Sequence, residues 1–164
     1  MERDAQLSAC GIYRYHLWRR WAPDGQVLLW ILLNPSTADA VQDDPTVVRC
    51  IRFAERWGYG AIRVVNLFAL RATDPRALHT ATDPVGPRND AIIEEAIQAA
   101  DGLLCAWGNH GQFNDRGERV REMLSRRQRP ARILGLTRLG HPRHPLYMAC
   151  SAPTRWWDFN APGA

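Results

Sequence analysis

The chain of 164 residues contains no lysine: all 21 basic side chains are arginine, against 17 carboxylates, for a formal charge of +4. Arginine makes planar bidentate contacts to phosphate and stacks on rings. A small basic protein of this kind is therefore compatible with DNA or a nucleotide as partner. Preference for arginine over lysine also follows genome base composition, so the charge alone does not choose a partner. No apolar run approaches the roughly 20 residues of a membrane span. No apolar segment follows the charged start Met1-Glu2-Arg3-Asp4, as a secretory signal would require, and a cytoplasmic location is the expectation. Cysteines occur only at Cys10, Cys50, Cys105 and Cys150, spaced 40 to 55 residues apart. Zinc and iron–sulfur sites ordinarily show at least one close pair, so buried free thiols and no metal are expected. The G-x-x-x-x-G-K, G-x-G-x-x-G and G-x-S-x-G patterns are all missing, which argues against an NTPase, a dinucleotide enzyme and a nucleophile elbow. No cofactor is implied.

What is present is an alternation of apolar runs and helical periods. Val27 to Leu33 is apolar and bounded by Gly25 and Pro35, which reads as a strand buried on both faces. Proline cannot donate to a sheet ladder, so the strand should stop before Pro35. Similar runs lie at 61–67, 102–107 and 131–136. Asp44-Pro45 reads as a helix start, followed by apolar positions Val47, Val48, Ile51 and Ala54 at helical spacing. Arg49, Arg52 and Arg56 share the polar face of that helix, a solvated stripe. A second helix runs from Asn89 to about Ala100, and a basic one over 115–128. Strand–helix alternation implies βαβ units. The expected fold is one α/β domain over 1–164, a three-layer α/β/α sandwich with a mostly parallel central sheet. Residues 12–21 alternate aromatic and polar side chains before the turn Ala22-Pro23-Asp24-Gly25, which predicts an N-terminal antiparallel hairpin with the 26–33 strand. Trp156, Trp157 and Phe159 are expected to pack back onto the body.

In open α/β sheets ligands bind at the carboxyl ends of the strands. Those ends carry Asn34-Pro35-Ser36, Asn66, the Trp107-Gly108-Asn109 turn and the loop from His141 to His144. Two amides and a histidine can hold a water, read a heterocycle edge and stabilise a leaving anion. Arg71 and the arginines of the 115–128 helix are candidates for phosphate. Asp39, Asp43 and Asp44 read first as turn and cap residues. With His144, any of them would also make the acid–base pair of an unrelated small-molecule hydrolase.

The motifs Leu33-Asn34-Pro35-Ser36-Thr37-Ala38-Asp39, Val65-Asn66-Leu67-Phe68 with Arg71-Ala72-Thr73-Asp74-Pro75, and the late Gly140-His141-Pro142-Arg143-His144-Pro145-Leu146-Tyr147 resemble those of a widespread bacterial family of uncharacterised domains. More remotely, the layout resembles the uracil-DNA glycosylase superfamily. Asn34-Pro35-Ser36 looks like its first-strand motif, Asn66 like its base-reading asparagine, and His144-Pro145-Leu146 like its late His-Pro-Ser loop. Ser36 stands where that superfamily has glycine, Leu146 where it has serine, and His141-Pro142 competes with His144-Pro145 for the match. The resemblance implies an N-glycosidase acting on a base in DNA or on a nucleotide. In that scheme Asn34 orients water and His144 donates to the departing base. Pro35, Ser36, Asn66, Arg71, Trp107 and Asn109 would bind substrate. A neutral amide at position 34 cannot act as a general base, which keeps open a non-catalytic module that binds a nucleotide or modified base.

Overall fold

Six apolar residues, Val27–Leu32 (β3), form the middle of a sheet that has seven strands among the described residues. The other strands are β1 (Glu2–Leu7), β2 (Arg14–Arg20), β4 (Ala61–Asn66), β5 (Gly102–Cys105), β6 (Arg132–Ile133) and β7 (Arg155–Trp156). In the computed structural model, which describes residues 1–158, they lie in the order β1-β2-β4-β3-β5-β6-β7. β4, β3, β5 and β6 run parallel, whereas β1–β2, β2–β4 and β6–β7 pair antiparallel. The four expected strands thus share one sheet, but the sheet is mixed rather than mostly parallel, because both edges are antiparallel.

The expected hairpin between β2 and β3 does not form. β4 lies between them, with Leu17 opposite Val64 on one side and Trp30 opposite Val64 on the other. The turn after β2 crosses the start of β4: Trp21 and Ala22 N–H donate to Gly60 O, and Gly60 N–H donates to Gln26 O. A Cβ on Gly25 would overlap the Gly60 backbone, so the crossing depends on two glycines packed together. The N-terminal hairpin is instead β1 with β2.

Alternation along β3 sends its side chains to two cores. Leu28, Trp30 and Leu32 pack with Val47, Cys50, Ile51, Phe53 and Ala54 of α1 (Pro45–Arg56). Leu29, Ile31 and Leu33 pack with Ile92, Ile93, Ala96 and Ile97 of α2 (Asn89–Ala99) and Val120, Met123 and Leu124 of α3 (Arg116–Arg126). One helix therefore covers one face and two cover the other. Each of the Val, Leu, Ile, Phe and Met side chains in these cores contributes roughly 1.5–3 kcal/mol on burial.

Among the described residues three arginines are buried, Arg14, Arg19 and Arg116. Arg19 is 0% exposed; its Nε pairs with Asp43 Oδ1 at 2.7 Å, and its terminal nitrogens donate to the carbonyls of Asp4, Trp18, Asp39 and Gln42. This fastens the 39–43 segment to β2. Arg14 donates to Ala38 O at 3.0 Å, and burial lowers its pKa to about 10. The arginines of α1 are not all a solvated stripe: Arg49 and Arg56 donate to Met148 O and Cys150 O and clamp the late loop onto the helix. Cys50 and Cys105 are buried free thiols, but Cys10 and Cys150 are exposed because they sit in surface loops. Trp157 is buried in the core, edge-on to Trp107 at 5.5 Å, whereas Trp156 is exposed on the edge strand under the Arg132 guanidinium. Phe159 lies outside the described residues. Among those residues, no helix is long and apolar enough to cross a membrane.

Candidate functional site

A cavity of about 710 Å³ opens at the carboxyl ends of β3 and β5, and its walls include Asn34, Ser36, Asp44, Trp107, Asn109, Arg143, His144 and Tyr147. Of the residues singled out from the sequence, it brings together Asn34, Ser36, Trp107, Asn109 and His144.

Asn34 lies two residues past the end of β3. Its Nδ2 donates to Pro35 O at 3.1 Å and Ala72 O at 2.7 Å. Both amide hydrogens are spent on backbone, which fixes the flip and leaves Oδ1 as the group free to accept. Ala72 N–H donates to Pro35 O and Ser36 Oγ lies 3.4 Å from Thr73 Oγ1, so the 34–37 and 71–73 loops hold each other.

Trp107 follows β5 and forms a buried wall. A Cβ on Gly111 would land in its indole ring, so only glycine lets the 109–115 turn pass there. Gly108, at φ +76°, donates to Pro142 O at 2.7 Å and ties this turn to the 137–144 loop. His141 N–H donates to Thr137 Oγ1, and the Thr137 hydroxyl is then left to donate to Asn109 Oδ1 at 2.5 Å. That chain directs the Asn109 amino group outward as a donor.

His144 caps the short turn Pro145–Tyr147. Its Nδ1 accepts from Leu146 N–H at 3.2 Å, so the neutral ring carries its proton on Nε2. Burial pushes its pKa down to about 4, with the Asp44 carboxylate pulling weakly the other way. The ring is therefore an uncharged N–H donor at neutral pH. His141 does not compete for this place: it lines a separate cavity of about 160 Å³ behind Trp107.

The Asp44-Pro45 sequence predicts a helix cap at Asp44. It is a cap, accepting from Val47 N–H at 2.9 Å, and its other oxygen accepts from Ala38 N–H at 3.3 Å. It is also 7% exposed and part of the cavity wall. The helix after a parallel strand begins at the strand's carboxyl end, so the cap of α1 reaches the same edge as Asn34. Asp39 accepts from Val41 and Gln42 N–H, and Asp43 pairs with Arg19 and Arg3. Neither is part of the cavity lining, which leaves Asp44 as the acid of any hydrolase built here with His144.

Three candidates lie outside the lining. Asn66 is 1% exposed, turned into the protein where its Oδ1 meets Arg14 at 3.4 Å, while Asn89 Nδ2 donates to the carbonyls of Asn66 and Leu67. Pro35 is buried, and Arg71 donates to Ser36 O and Gly11 O as a loop brace. The arginines of α3 and the following Arg127 are ion-paired: Arg116 with Asp90, Arg121 with Glu118, and Arg126 and Arg127 with Glu94. The cation on the cavity is Arg143, which no run of like charge in the sequence marked.

A family model described as a protein of unknown function, DUF1643, matches residues 14–146, a span that includes Asn34, Asp44, Asn109 and His144. No curated protein and no solved structure matches the chain.

Proposed function

The chain belongs to the DUF1643 family, whose function is unknown, and from that premise we propose that the cavity binds a base of DNA or of a nucleotide and hydrolyses its N-glycosidic bond. The observation that carries this reading is His144, held as a neutral Nε2–H donor in the same cavity as the free Oδ1 of Asn34. The remote likeness of Asn34-Pro35-Ser36 and His144-Pro145-Leu146 to uracil-DNA glycosylases supports it, as does the shared carboxyl edge of β3, β4 and β5.

Breaking a glycosidic bond passes through an oxocarbenium-like state. The C1′–N bond breaks with both electrons passing to the base, whose developing anion His144 meets with its N–H. A preformed donor of this kind needs no reorganisation as charge develops. The Asp44 carboxylate stabilises the positive sugar. Asn34 Oδ1 accepts from a water and aims its oxygen at C1′. As that oxygen bonds to carbon, the water's proton leaves to solvent and the base takes one up. Asn66 is not placed to read the base edge, and Asn109 supplies the outward amide instead.

One observation favours a second reading. Both Asp44 oxygens already accept backbone hydrogens, and Asn34 is neutral, so a general base for the water is weak here. That fits a module that binds without cleaving.

The test is incubation with oligonucleotides carrying uracil, hypoxanthine and other altered bases, with nucleosides and nucleotides screened alongside. Alkali-labile abasic sites or free base are expected from at least one substrate. Binding to the cavity with no base released from the whole panel would transfer the site to the binding-module reading.

A further inference from the structure

Tyr147 and Arg143 flank His144 at the mouth of the cavity. Tyr147 is 84% exposed, with its ring centroid 5.9 Å from that of His144. Arg143 anchors its Nε on Leu136 O at 3.0 Å, and among the described residues no carboxylate pairs with it or with Arg138 of the same loop. All four arginines of α3 are paired, so this loop is where unneutralised positive charge and an open aromatic face meet beside the site. Asp44 puts negative charge inside the cavity, which disfavours phosphate there and leaves it at the rim.

We propose that the ligand is a single-stranded polynucleotide rather than a free nucleotide, with one base in the cavity, the neighbouring base stacked on Tyr147, and the intervening phosphate on Arg143. The proposal rests on the nucleobase reading of the cavity and adds what lies outside it. An aromatic ring serves any base, because each has a π-face, and a rim cation tracks the backbone. DNA and RNA share this chemistry.

The experiment compares binding of nucleoside monophosphates with binding of fluorescent single-stranded DNA and RNA 11-mers carrying the same base centrally. Wild type, Tyr147→Ser and Arg143→Gln are measured across a salt series. The 11-mer of one sugar type is expected to bind at least roughly tenfold tighter than its monophosphate, the range one base–aromatic stack supplies. Tyr147→Ser should remove most of that gain, weakening the 11-mer more than the monophosphate. Arg143→Gln should flatten the salt slope by about 0.7, the value for one phosphate on a single strand. Equal affinity for monomer and 11-mer would overturn the proposal and leave the cavity reading standing. Tyr147-dependent 11-mer binding without monophosphate binding would support the platform and count against the cavity. No binding of either would overturn both.

Discussion

Replacing His144 with asparagine is expected to lower base release on the order of 100-fold or more, the usual cost of removing one donor to a developing anion. Asparagine is the informative replacement because its Oδ1 can still accept from Leu146 N–H, as Nδ1 does. The turn over Pro145–Tyr147 then keeps its cap while the Nε2–H is lost. Substrate affinity should fall less than kcat, since the charge arises in the transition state. A kcat unchanged in a folded His144→Asn protein would remove His144 from the chemistry.

The same residue sets a pH signature. His144 ordinarily titrates near 6.5 and here titrates near 4, so between those values the unfolded chain binds a proton that the folded chain does not. Stability therefore rises with pH across that window and is lost as pH falls through it, by up to ~3 kcal/mol from this residue. His16 and His141 are also pushed down by burial and act with the same sign. Acid unfolding followed at several pH values should show a smaller decline between pH 6.5 and 4 in His144→Asn than in wild type. For the reaction, His144 stays neutral above about pH 5, so it contributes no inflection near 6.5.

Arg19→Met is the second large effect, and it concerns the scaffold. Arg19 is fully buried and pairs with Asp43 while donating to four carbonyls. Methionine keeps the apolar length but leaves the Asp43 carboxylate and the carbonyls of Asp39 and Gln42 without their buried partner. Removing one member of a buried pair costs about 3–5 kcal/mol, and because Arg3 still pairs with Asp43 the expected loss is at the low end, about 3 kcal/mol. Urea unfolding should show a loss of that size. The freed 39–43 segment leads straight into Asp44, so base release should fall as well. A loss below about 1 kcal/mol would mean the segment holds itself in place.

The parts of this fold that could be read from the sequence are those where one physical demand dominates. β3 and β5 are buried on both faces and appear as unbroken apolar runs, β4 is apolar except for Arg63 and the closing Asn66, and α1 announces itself through Asp44-Pro45 and helical spacing. β1 is Glu-Arg-Asp-Ala-Gln-Leu on the sheet edge and carries no apolar alternation, so nothing marked it. The pairing of β2 with β4 rather than β3 depends on the Gly25–Gly60 contact, which joins residues 35 positions apart. The site was legible as far as strand ends go: Asn34, Trp107, Asn109 and His144 do meet. Asn66 also ends a strand, but alternation along β4 puts its side chain on the same face as Ile62 and Val64, where it meets buried Arg14 instead of the cavity. Asp44 was hidden by its own cap role, because one carboxylate can cap a helix and wall a cavity.

The most direct measurement is hydrolysis in ¹⁸O-labelled water, with the first substrate found in the panel and both products weighed by mass spectrometry. If Asn34 aims water at C1′, no label enters the released base, the sugar alone is labelled (by the attack and by later exchange at its anomeric carbon), and Asn34→Ala slows base release more than it weakens binding. Label in the base, or release that survives the loss of both Asn34 and His144, would contradict the account.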